Sequence, residues 1–226
     1  MTACPARPSV GRPARPRSPT KRAARLGSRD VILDAATTLF LRNGYLGTSM
    51  DDIAARAGVS KQTVYTHFAD KEQLFTDLVL GNIERVEAFV QTMTRLLEDT
   101  TDLEGDLREL ARRYVSVVIQ PQVVQLRRLV IGEAGRFPDL ARTYYERVPA
   151  RTTATLAAQL QRLADRGLLR LEDPHLAAGQ LAWLILAVPL DVALLCGDSA
   201  SLPAAERERL ADAAVRVFLA AYGTGR

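Results

Sequence analysis

The chain has 226 residues, of which 47% are hydrophobic and 25% charged, a composition typical of a globular protein with one or two domains. Its two cysteines, Cys4 and Cys196, lie near opposite ends of the chain and its two histidines are far apart, so no zinc site, redox dithiol or disulfide framework is expected. The common phosphate-loop, dinucleotide, zinc-protease and nucleophile-elbow motifs are also missing, and we expect no cofactor, no metal and no catalysed reaction.

The positive charge is concentrated at the N-terminus. The formal net charge is +4, yet residues 1–29 contain eight basic residues and no acidic one, which leaves −4 for the remainder. Five of the eleven prolines fall between Pro5 and Pro19, a density that excludes a regular helix over this stretch and leaves little apolar material for a core. We predict a disordered basic arm over residues 1–27.

The arm has three interpretations: a solvated tail, a targeting peptide, or an electrostatic arm for nucleic acid phosphates or an anionic membrane surface. It lacks the continuous apolar segment of a secretory signal, and its prolines break the amphipathic helix of an organelle transit peptide. A cytoplasmic location is therefore expected.

The chain after the arm is predicted to be all-α, since apolar periodicity near 3.6 recurs and no hairpin pattern appears. A first helix is predicted from about Ser28 to Arg42, ended by Asn43-Gly44. Ser49 is a suitable N-cap, with Asp52 three residues on, for a short helix through Ala57. After Gly58, Ser60 is the natural cap for a third helix, Lys61 to Phe68.

Longer helices are predicted in the rest of the chain. One runs from Lys71 to about Leu97, and its length suggests a connector between a domain at 28–75 and a second domain at 76–226. The others are expected at about 103–119, 121–135, 138–167, 174–196 and 203–222. The apolar run 176–196 is interrupted by Gln180, Pro189 and Asp191, so we expect a buried or subunit-interface helix rather than a membrane span.

The spacing of Ala54, Gly58 and Val64 fits a helix-turn-helix. It provides a small residue at the helix crossing, a glycine able to take a positive φ in the turn, and an apolar anchor under the second helix. Short helix pairs of this kind also occur in bundles that do not bind DNA, so the triplet alone is only moderately specific.

The surrounding residues are more informative. Residues 44–54, GYLGTSMDDIA, followed by 58–75, GVSKQTVYTHFADKEQLF, closely resemble the N-terminal domain of the TetR family of bacterial transcriptional regulators. The motif Val-Tyr-x-His-Phe-x-x-Lys-Glu-x-Leu is highly specific in this setting. Gln62 stands where many relatives carry glycine, so base preference is not transferred from any relative. The resemblance implies a DNA-binding domain over about residues 28–75.

A second, more local resemblance lies in the C-terminal half. Residues 132–140, GEAGRFPDL, look like the AefR-type C-terminal regulatory domain. This implies a helical domain for ligand sensing and dimerisation, without naming a ligand.

The candidate DNA contacts follow from chemistry and from the family pattern. Gln62 and Thr63 begin the recognition helix, where glutamine suits adenine and the threonine methyl suits thymine. Tyr65, His67 and Lys71 match family positions that touch the DNA backbone. The full set, which includes hydroxyls at a helix N-terminus able to cap or to bind phosphate, is Thr48, Ser49, Ser60, Lys61, Gln62, Thr63, Tyr65, Thr66, His67 and Lys71.

Each contact has a simpler alternative: solvent exposure for Gln62 and Thr63, packing for His67, and capping alone for Thr48 and Ser49. The stretch from Asp30 to Lys71 contains four basic and five acidic residues, so the charge of this domain alone gives only weak attraction to DNA. We hypothesise that Arg22 and Arg25 of the arm reach the minor groove or flanking phosphates.

The C-terminal half offers two sets of candidates. An internal ligand cavity is predicted from Phe89, Met93, Tyr114, Val118, Leu129, Gln180 and Trp183, with core packing as the alternative and the dimer face as a second possibility for Trp183. A four-helix dimer interface is predicted from Leu181, Leu184, Ile185, Val188, Leu210, Ala214, Val217 and Phe218.

The expected function is a homodimeric transcriptional regulator, most simply a repressor. It would leave a near-palindromic double-stranded DNA operator when a hydrophobic or amphipathic small molecule enters the cavity, and would be bacterial, cytoplasmic and nucleoid-associated while bound. The alternative is a helical interaction protein without specific DNA binding, whose basic arm contacts an anionic partner.

Overall fold

The computed structural model describes the backbone of residues 21–196 and 202–225, and within it the side chains of residues 21–26, 84–88, 91 and 93 are not described. This part of the chain forms ten α-helices and no strand, apart from an isolated bridge between Leu169 and Gly223. The all-α prediction is confirmed. The arm over residues 1–20 lies outside the described residues.

Three helices and the start of a fourth make up the N-terminal unit. Their bounds are α1 Lys21–Asn43, α2 Met50–Ala57, α3 Lys61–His67 and α4 Lys71–Thr94, the last extended by a 3₁₀ turn over Arg95–Leu97. The predicted short helices α2 and α3 agree with the structure to within one residue, because each begins at a capping serine.

The first helix begins earlier than predicted. It starts at Lys21, not at Ser28, so residues 21–27 belong to α1 and not to the arm. The last proline of the arm is Pro19, and no helix-breaking residue stands between it and Gly27. The exclusion of helix over the whole stretch 1–29 was therefore wrong for its last third.

The C-terminal bundle follows the predicted order. Its helices are α5 Leu103–Val118, α6 Pro121–Gly132, α7 Pro138–Tyr145, α8 Arg151–Asp165, α9 Pro174–Cys196 and α10 Ala204–Tyr222. The helix expected over 138–167 is present over 138–165, but it is not α-helical throughout: a π-helical segment, Glu146–Ala150, lies between α7 and α8. Pro149 lies inside it, and a proline has no N–H for the helical ladder and displaces the carbonyl four residues earlier.

The buried residues form two apolar clusters. One lies in the C-terminal bundle among α5, α8, α9 and α10. The other holds the N-terminal unit together and continues without a break into α6, α7 and the π-helical segment, through Leu126, Leu129, Val130, Tyr144 and Val148. The DNA-binding unit predicted from the sequence therefore shares its core with part of the C-terminal region.

Helix α9 is the one helix, among the described residues, that is long and apolar enough to cross a membrane by length and composition alone. Leu181, Ile185 and Leu190 are buried in the bundle, where α9 packs on α8 and α10. These contacts are those of the core helix of a helical bundle.

Candidate functional site

Hydrogen bonds at the helix ends fix the geometry of α2 and α3. The Ser49 hydroxyl accepts from the Asp52 backbone N–H at 3.1 Å while the Asp52 carboxylate accepts from the Ser49 N–H at 3.2 Å, a complete capping box. Ser60 caps α3 by accepting from the Thr63 N–H at 3.1 Å. Gly58 joins the two helices with φ +66°, the left-handed conformation that glycine adopts without strain. The predicted turn chemistry is confirmed.

The exposed side of α3 carries the candidates for base readout. Gln62 and Tyr65 are exposed, and neither side chain has a hydrogen-bond partner among the described residues. Thr63 is half-buried and its hydroxyl shares a hydrogen bond with that of Ser60, while the Thr66 hydroxyl donates to the Gln62 carbonyl at 2.8 Å. Gln62 and Tyr65 are therefore the groups of α3 that are most available to a ligand.

Lys61 does not present an isolated positive charge. Its ammonium lies 2.7 Å from an Asp51 carboxylate oxygen across the α2–α3 junction. The hydrogen bond and the charge of Asp51 raise the pKa of Lys61 above its ordinary value. A phosphate contact by Lys61 would therefore have to form beside this carboxylate.

Lys71 anchors the loop between α1 and α2. Its ammonium donates to the carbonyls of Tyr45 and Thr48, both at 2.9 Å, and lies 4.3 Å from the centroid of the Tyr45 ring. Two of its three hydrogens are therefore used within the chain, and one is left for a phosphate.

Thr48 requires a correction. Its side chain is buried, and its hydroxyl donates to the Gly44 carbonyl at 2.9 Å, so it stabilises the loop and does not offer a free hydroxyl to DNA. Ser49 remains exposed, with its hydroxyl also donating to Asp52 at 2.6 Å. His67 is half-buried at the end of α3, with its ring centroid 6.3 Å from that of Phe68.

Four aromatic rings join the N-terminal unit to the α6–α7 connection. We call Phe40, Tyr45, Phe75 and Phe137 the aromatic junction. Phe137 makes edge-to-face contact with Tyr45 at a centroid distance of 4.9 Å and a tilted contact with Phe75 at 5.4 Å. Phe137 lies within the GEAGRFPDL segment, so this sequence motif packs directly on the N-terminal unit.

An ion pair that was not identified from the sequence strengthens the same unit. Arg29 of α1 donates to Asp77 of α4 at 2.8 Å, and its guanidinium lies 5.3 Å from the centroid of the Phe68 ring. The partners are 48 residues apart, so no helical spacing reveals the pair.

A cavity of about 500 Å³ lies between α4, α5, α6 and the α7–α8 region. Its lining is mostly apolar with three amides: Asn82, Ile83, Phe89, Val117, Gln120, Gln122, Val123, Leu126, Tyr144 and Val148. A narrow recess of about 40 Å³ adjoins it and is lined by Tyr114, Val118, Arg127, Thr152 and Leu186 together with residues of the larger space.

The predicted cavity residues are only partly brought together. Phe89, Tyr114 and Val118 line the cavity or its recess. The assignment of Leu129 to the cavity is not supported, since Leu129 is buried in the cluster shared with the N-terminal unit. Gln180 and Trp183 do not line this cavity either, because they lie on the outer face of α9. The Met93 side chain lies outside the described residues.

Sequence reasoning missed most of the lining, because α6 and α7 were not considered as walls. Arg127 is followed directly by Arg128, and only the tertiary structure distinguishes them: Arg127 lines the recess, whereas Arg128 donates to the carbonyls of Ala193 and Leu194.

The outer faces of α9 and α10 form a shallow apolar groove. Trp183 is 64% exposed and lies with Leu184, Val188 and Val217 along it, while Leu210 is half-buried at its side. The Tyr222 hydroxyl donates to the Gln180 side-chain carbonyl at one edge. The predicted interface residues Leu181, Ile185 and Ala214 are buried inside the chain instead, because they occupy the inner faces of the same helices, whereas Phe218 is buried but lines the groove.

Comparisons with known proteins match both the N-terminal and the C-terminal part of the chain to bacterial transcriptional regulators. Residues 32–78 match the family model described as bacterial regulatory proteins, tetR family. Residues 105–224, just over half of the chain, match the C-terminal domain of AefR-like transcriptional repressors.

Several solved structures have the same fold. A TetR-family transcriptional regulator from Mesorhizobium loti is 43% identical, with a TM-score of 0.82 over 88% of this chain and 98% of that one. The flavonoid-responsive regulator FrrA is 34% identical, with a TM-score of 0.69 over 88% and 99%. SmeT, the repressor of the Stenotrophomonas maltophilia efflux pump SmeDEF, is 27% identical, with a TM-score of 0.60 over 87% and 91%.

Proposed function

Because the chain belongs to the TetR family of bacterial transcriptional regulators, with an AefR-like C-terminal domain, we propose that it is a homodimeric repressor that leaves its operator when a small molecule enters the internal cavity. In this proposal residues of the 28–75 region read DNA and residues 76–226 sense the ligand and form the dimer. The protein acts through binding and catalyses no reaction.

The exposed start of α3 is the observation that carries DNA recognition. Gln62 and Tyr65 are exposed on α3 and have no side-chain hydrogen bond among the described residues, whereas Ser49 and Ser60 are engaged as helix caps. A glutamine at this position pairs its amide with adenine N6 and N7 in the major groove. The third Lys71 hydrogen and the Ser49 region are suited to the flanking phosphates.

The apolar groove on α9 and α10 supports dimerisation. Trp183, Leu184, Val188 and Val217 expose a contiguous apolar surface, which is typical of a protein–protein interface. A two-fold axis through this face generates a four-helix contact. Two copies of α3 about 34 Å apart then match half-sites one turn apart on B-DNA.

Packing continuity supports a response to ligand. The cavity wall includes Ile83, Leu126, Tyr144 and Val148, which belong to the same buried cluster as Val64 under α3. A ligand that favours one arrangement of this wall therefore biases the aromatic junction and the position of α3. A coupling of about 1–3 kcal/mol changes DNA affinity roughly 5- to 150-fold. That FrrA is flavonoid-responsive and SmeT a repressor supports both parts of the proposal.

The test is fluorescence anisotropy with DNA taken from upstream of the protein's own gene, against scrambled competitor and over a salt titration, with a genomic-fragment screen if that DNA does not bind. We expect selective binding that survives the competitor. Gln62→Ala should lower operator affinity by about 1–3 kcal/mol, roughly 5- to 150-fold, and should leave scrambled-DNA binding unchanged.

The matched control is Gln161→Ala, an exposed glutamine on α8 whose amide contacts only Asp165. It should leave operator binding unchanged. Equal affinity of the wild-type protein for all DNA sequences would contradict the proposal and favour an interaction protein that contacts anions through its basic arm.

A further inference from the structure

Among the residues whose side chains the structure describes, one cation faces the recess of the internal cavity and no carboxylate pairs with it. Arg127 lies on α6 and lines the recess. Its Nη1 atom is shielded from solvent and has no hydrogen-bond partner. Among the described residues that line the cavity or its recess there is no aspartate or glutamate.

The neighbours of Arg127 are neutral hydroxyl groups. Burial raises the pKa of Tyr114 to about 12, and burial also raises that of Tyr144, although the charge of Arg127 and a hydrogen bond from it act in the opposite direction. Both phenols therefore keep their protons at neutral pH. They do not balance the arginine charge, and their O–H groups are potential donors to an incoming anion.

A guanidinium keeps its positive charge at physiological pH, so loss of a proton does not relieve this situation. Arg127 is half-buried and donates to Tyr144, but its Nη1 is held away from water with no acceptor, which is costly, and an opposite charge with matching hydrogen bonds removes much of that cost. The empty recess beside Arg127 is where such a charge would fit.

The size of the recess favours a small anionic group. At about 40 Å³ it has room for roughly three water-sized units, whereas the adjoining space of about 500 Å³ is walled mainly by apolar side chains such as Phe89, Val117 and Val148. A carboxylate presents two oxygens to the guanidinium fork. The body of the same molecule would then lie against the apolar wall.

We propose that the effector is a hydrophobic carboxylic acid whose carboxylate binds Arg127, with the Tyr114 and Tyr144 hydroxyls beside it, and whose apolar body fills the larger cavity. This assignment rests on the proposed function in taking this cavity as the effector site, and it adds the chemical class of the ligand. The amides of Asn82, Gln120 and Gln122 then contact whatever polar substituent the far end carries.

The test is calorimetric titration of the full-length protein with charged and neutral molecules of the same shape. Decanoate and phenylpropanoate serve as acids, and decanol and phenylpropanol as their neutral counterparts. For the wild-type protein we expect at least one acid to bind on the order of tenfold or more tighter than its alcohol, because the net contribution of a hydrogen bond between charged groups changes a binding constant by about this factor.

Arg127→Met removes the charge and keeps an apolar side chain of similar length, and it should abolish that preference while the alcohol binds as well as before. Arg113→Met is the control: this arginine is exposed on α5, pairs with Glu109, and lines neither space. It should retain the full preference. The circular dichroism spectrum and operator affinity of each variant report whether it is folded.

The proposal is overturned if the wild-type protein binds each acid no tighter than its alcohol, if neither acid binds, or if Arg127→Met retains the preference. These outcomes are separate from the failure of the regulator proposal, because DNA selectivity is measured without any ligand. Tight acid binding by a protein that does not select a DNA sequence would support the ligand class and contradict the regulatory role.

Discussion

The N-terminal unit and the rest of the chain differ in how their polar side chains are paired. In the unit, the buried Thr48, the half-buried Lys71 and the exposed Ser49 and Ser60 all have partners within the same loops and helix ends. The described buried side-chain atoms without a hydrogen-bond partner all lie C-terminal to the unit: Thr100 Oγ1 in the connection before α5, and Arg108 Nε, Arg127 Nη1 and Gln159 Oε1 in the bundle. Most buried polar groups in proteins are paired, so this distribution is informative.

This difference distinguishes the N-terminal unit, whose helix ends are fixed by their own hydrogen bonds, from the bundle, where we propose that a ligand and a second subunit bind. The DNA-facing helices hold their geometry without a ligand, which keeps recognition specific. The bundle contains a cavity with a cation that has no described carboxylate beside it and an apolar groove on its outer face, which are the features on which the proposed ligand and dimer rest. The aromatic junction connects the two regions.

Disrupting the groove should have the largest effect. Val188→Asp places a carboxylate on the exposed apolar face of α9, and we expect it to dissociate the dimer and reduce operator affinity on the order of 100-fold or more, because the two half-sites are then bound independently. Sedimentation velocity and anisotropy measure the two effects. Ile131→Asp alters an exposed apolar residue on α6 outside the groove and should change neither; a Val188→Asp protein that stays dimeric would contradict the interface.

Truncation at the aromatic junction should affect stability more than truncation at the cavity wall. Phe75 is buried against Phe40, Tyr45 and Phe137, and Phe75→Ala should lower the free energy of unfolding by about 3–5 kcal/mol. Val117→Ala removes atoms beside existing empty space and should cost about 1 kcal/mol or less. Urea unfolding at fixed protomer concentration compares them, and equal losses would contradict the contrast between a closed core and an open wall.

An ion pair confined to the bundle should affect stability without affecting DNA binding. Arg112 of α5 donates through Nε and Nη2 to both carboxylate oxygens of Asp212 on α10, at 2.9 and 2.7 Å. Allowing for solvent screening, Asp212→Asn should cost about 1 kcal/mol at neutral pH. Operator affinity should be unchanged.

The pH dependence of this pair follows from the same contact. The hydrogen bond from Arg112 lowers the pKa of Asp212 below its ordinary value of 3.8. A carboxyl group with a lowered pKa in the folded state contributes its stability above the ordinary value and loses it as the pH falls through the folded one. The stability difference between wild type and Asp212→Asn should therefore be constant from pH 7 down to about pH 4, shrink below that, and vanish only once the pH has fallen past the lowered pKa of the folded state; a difference that grows on acidification would contradict this sign.

Removing the charge of Asp51 should produce the smallest effect, and it should raise DNA affinity where Val188→Asp lowers it. Asp51→Asn releases Lys61 from its ion pair beside the DNA-facing helix, and we expect a few-fold higher affinity for all DNA sequences with the salt slope steeper by about one unit. Asp139→Asn, at the start of α7, is the control. Unchanged affinity and slope would indicate that Lys61 does not contact phosphate.

Local signals explain why the N-terminal unit was predictable from the sequence. Ser49, Gly58 and Ser60 determine where α2 and α3 begin and end through contacts within three residues, and the structure has those contacts. The roles of Thr48 and Lys71 were not predictable in this way, since the Lys71 bonds reach 23 and 26 residues back along the chain.

The C-terminal errors have a different physical origin. Periodicity identifies apolar positions on α9, but it does not state which of two apolar faces meets the rest of the bundle, so Leu181 and Ile185 were assigned to an interface although they are core residues. The cavity is formed by helices distant in sequence, and its recess is also lined by Pro149 of the π-helical segment. The sequence also gives no means of telling Arg127, which lines the recess, from the adjacent Arg128, which does not.

The central claim is that ligand binding in the cavity changes the affinity of α3 for DNA. The most direct test is to measure operator affinity with and without a saturating hydrophobic acid, in wild type and in Arg127→Met. The acid should weaken wild-type operator binding roughly 5- to 150-fold and leave the variant unchanged. An operator affinity that stays constant while calorimetry shows the wild-type cavity occupied would contradict the coupling.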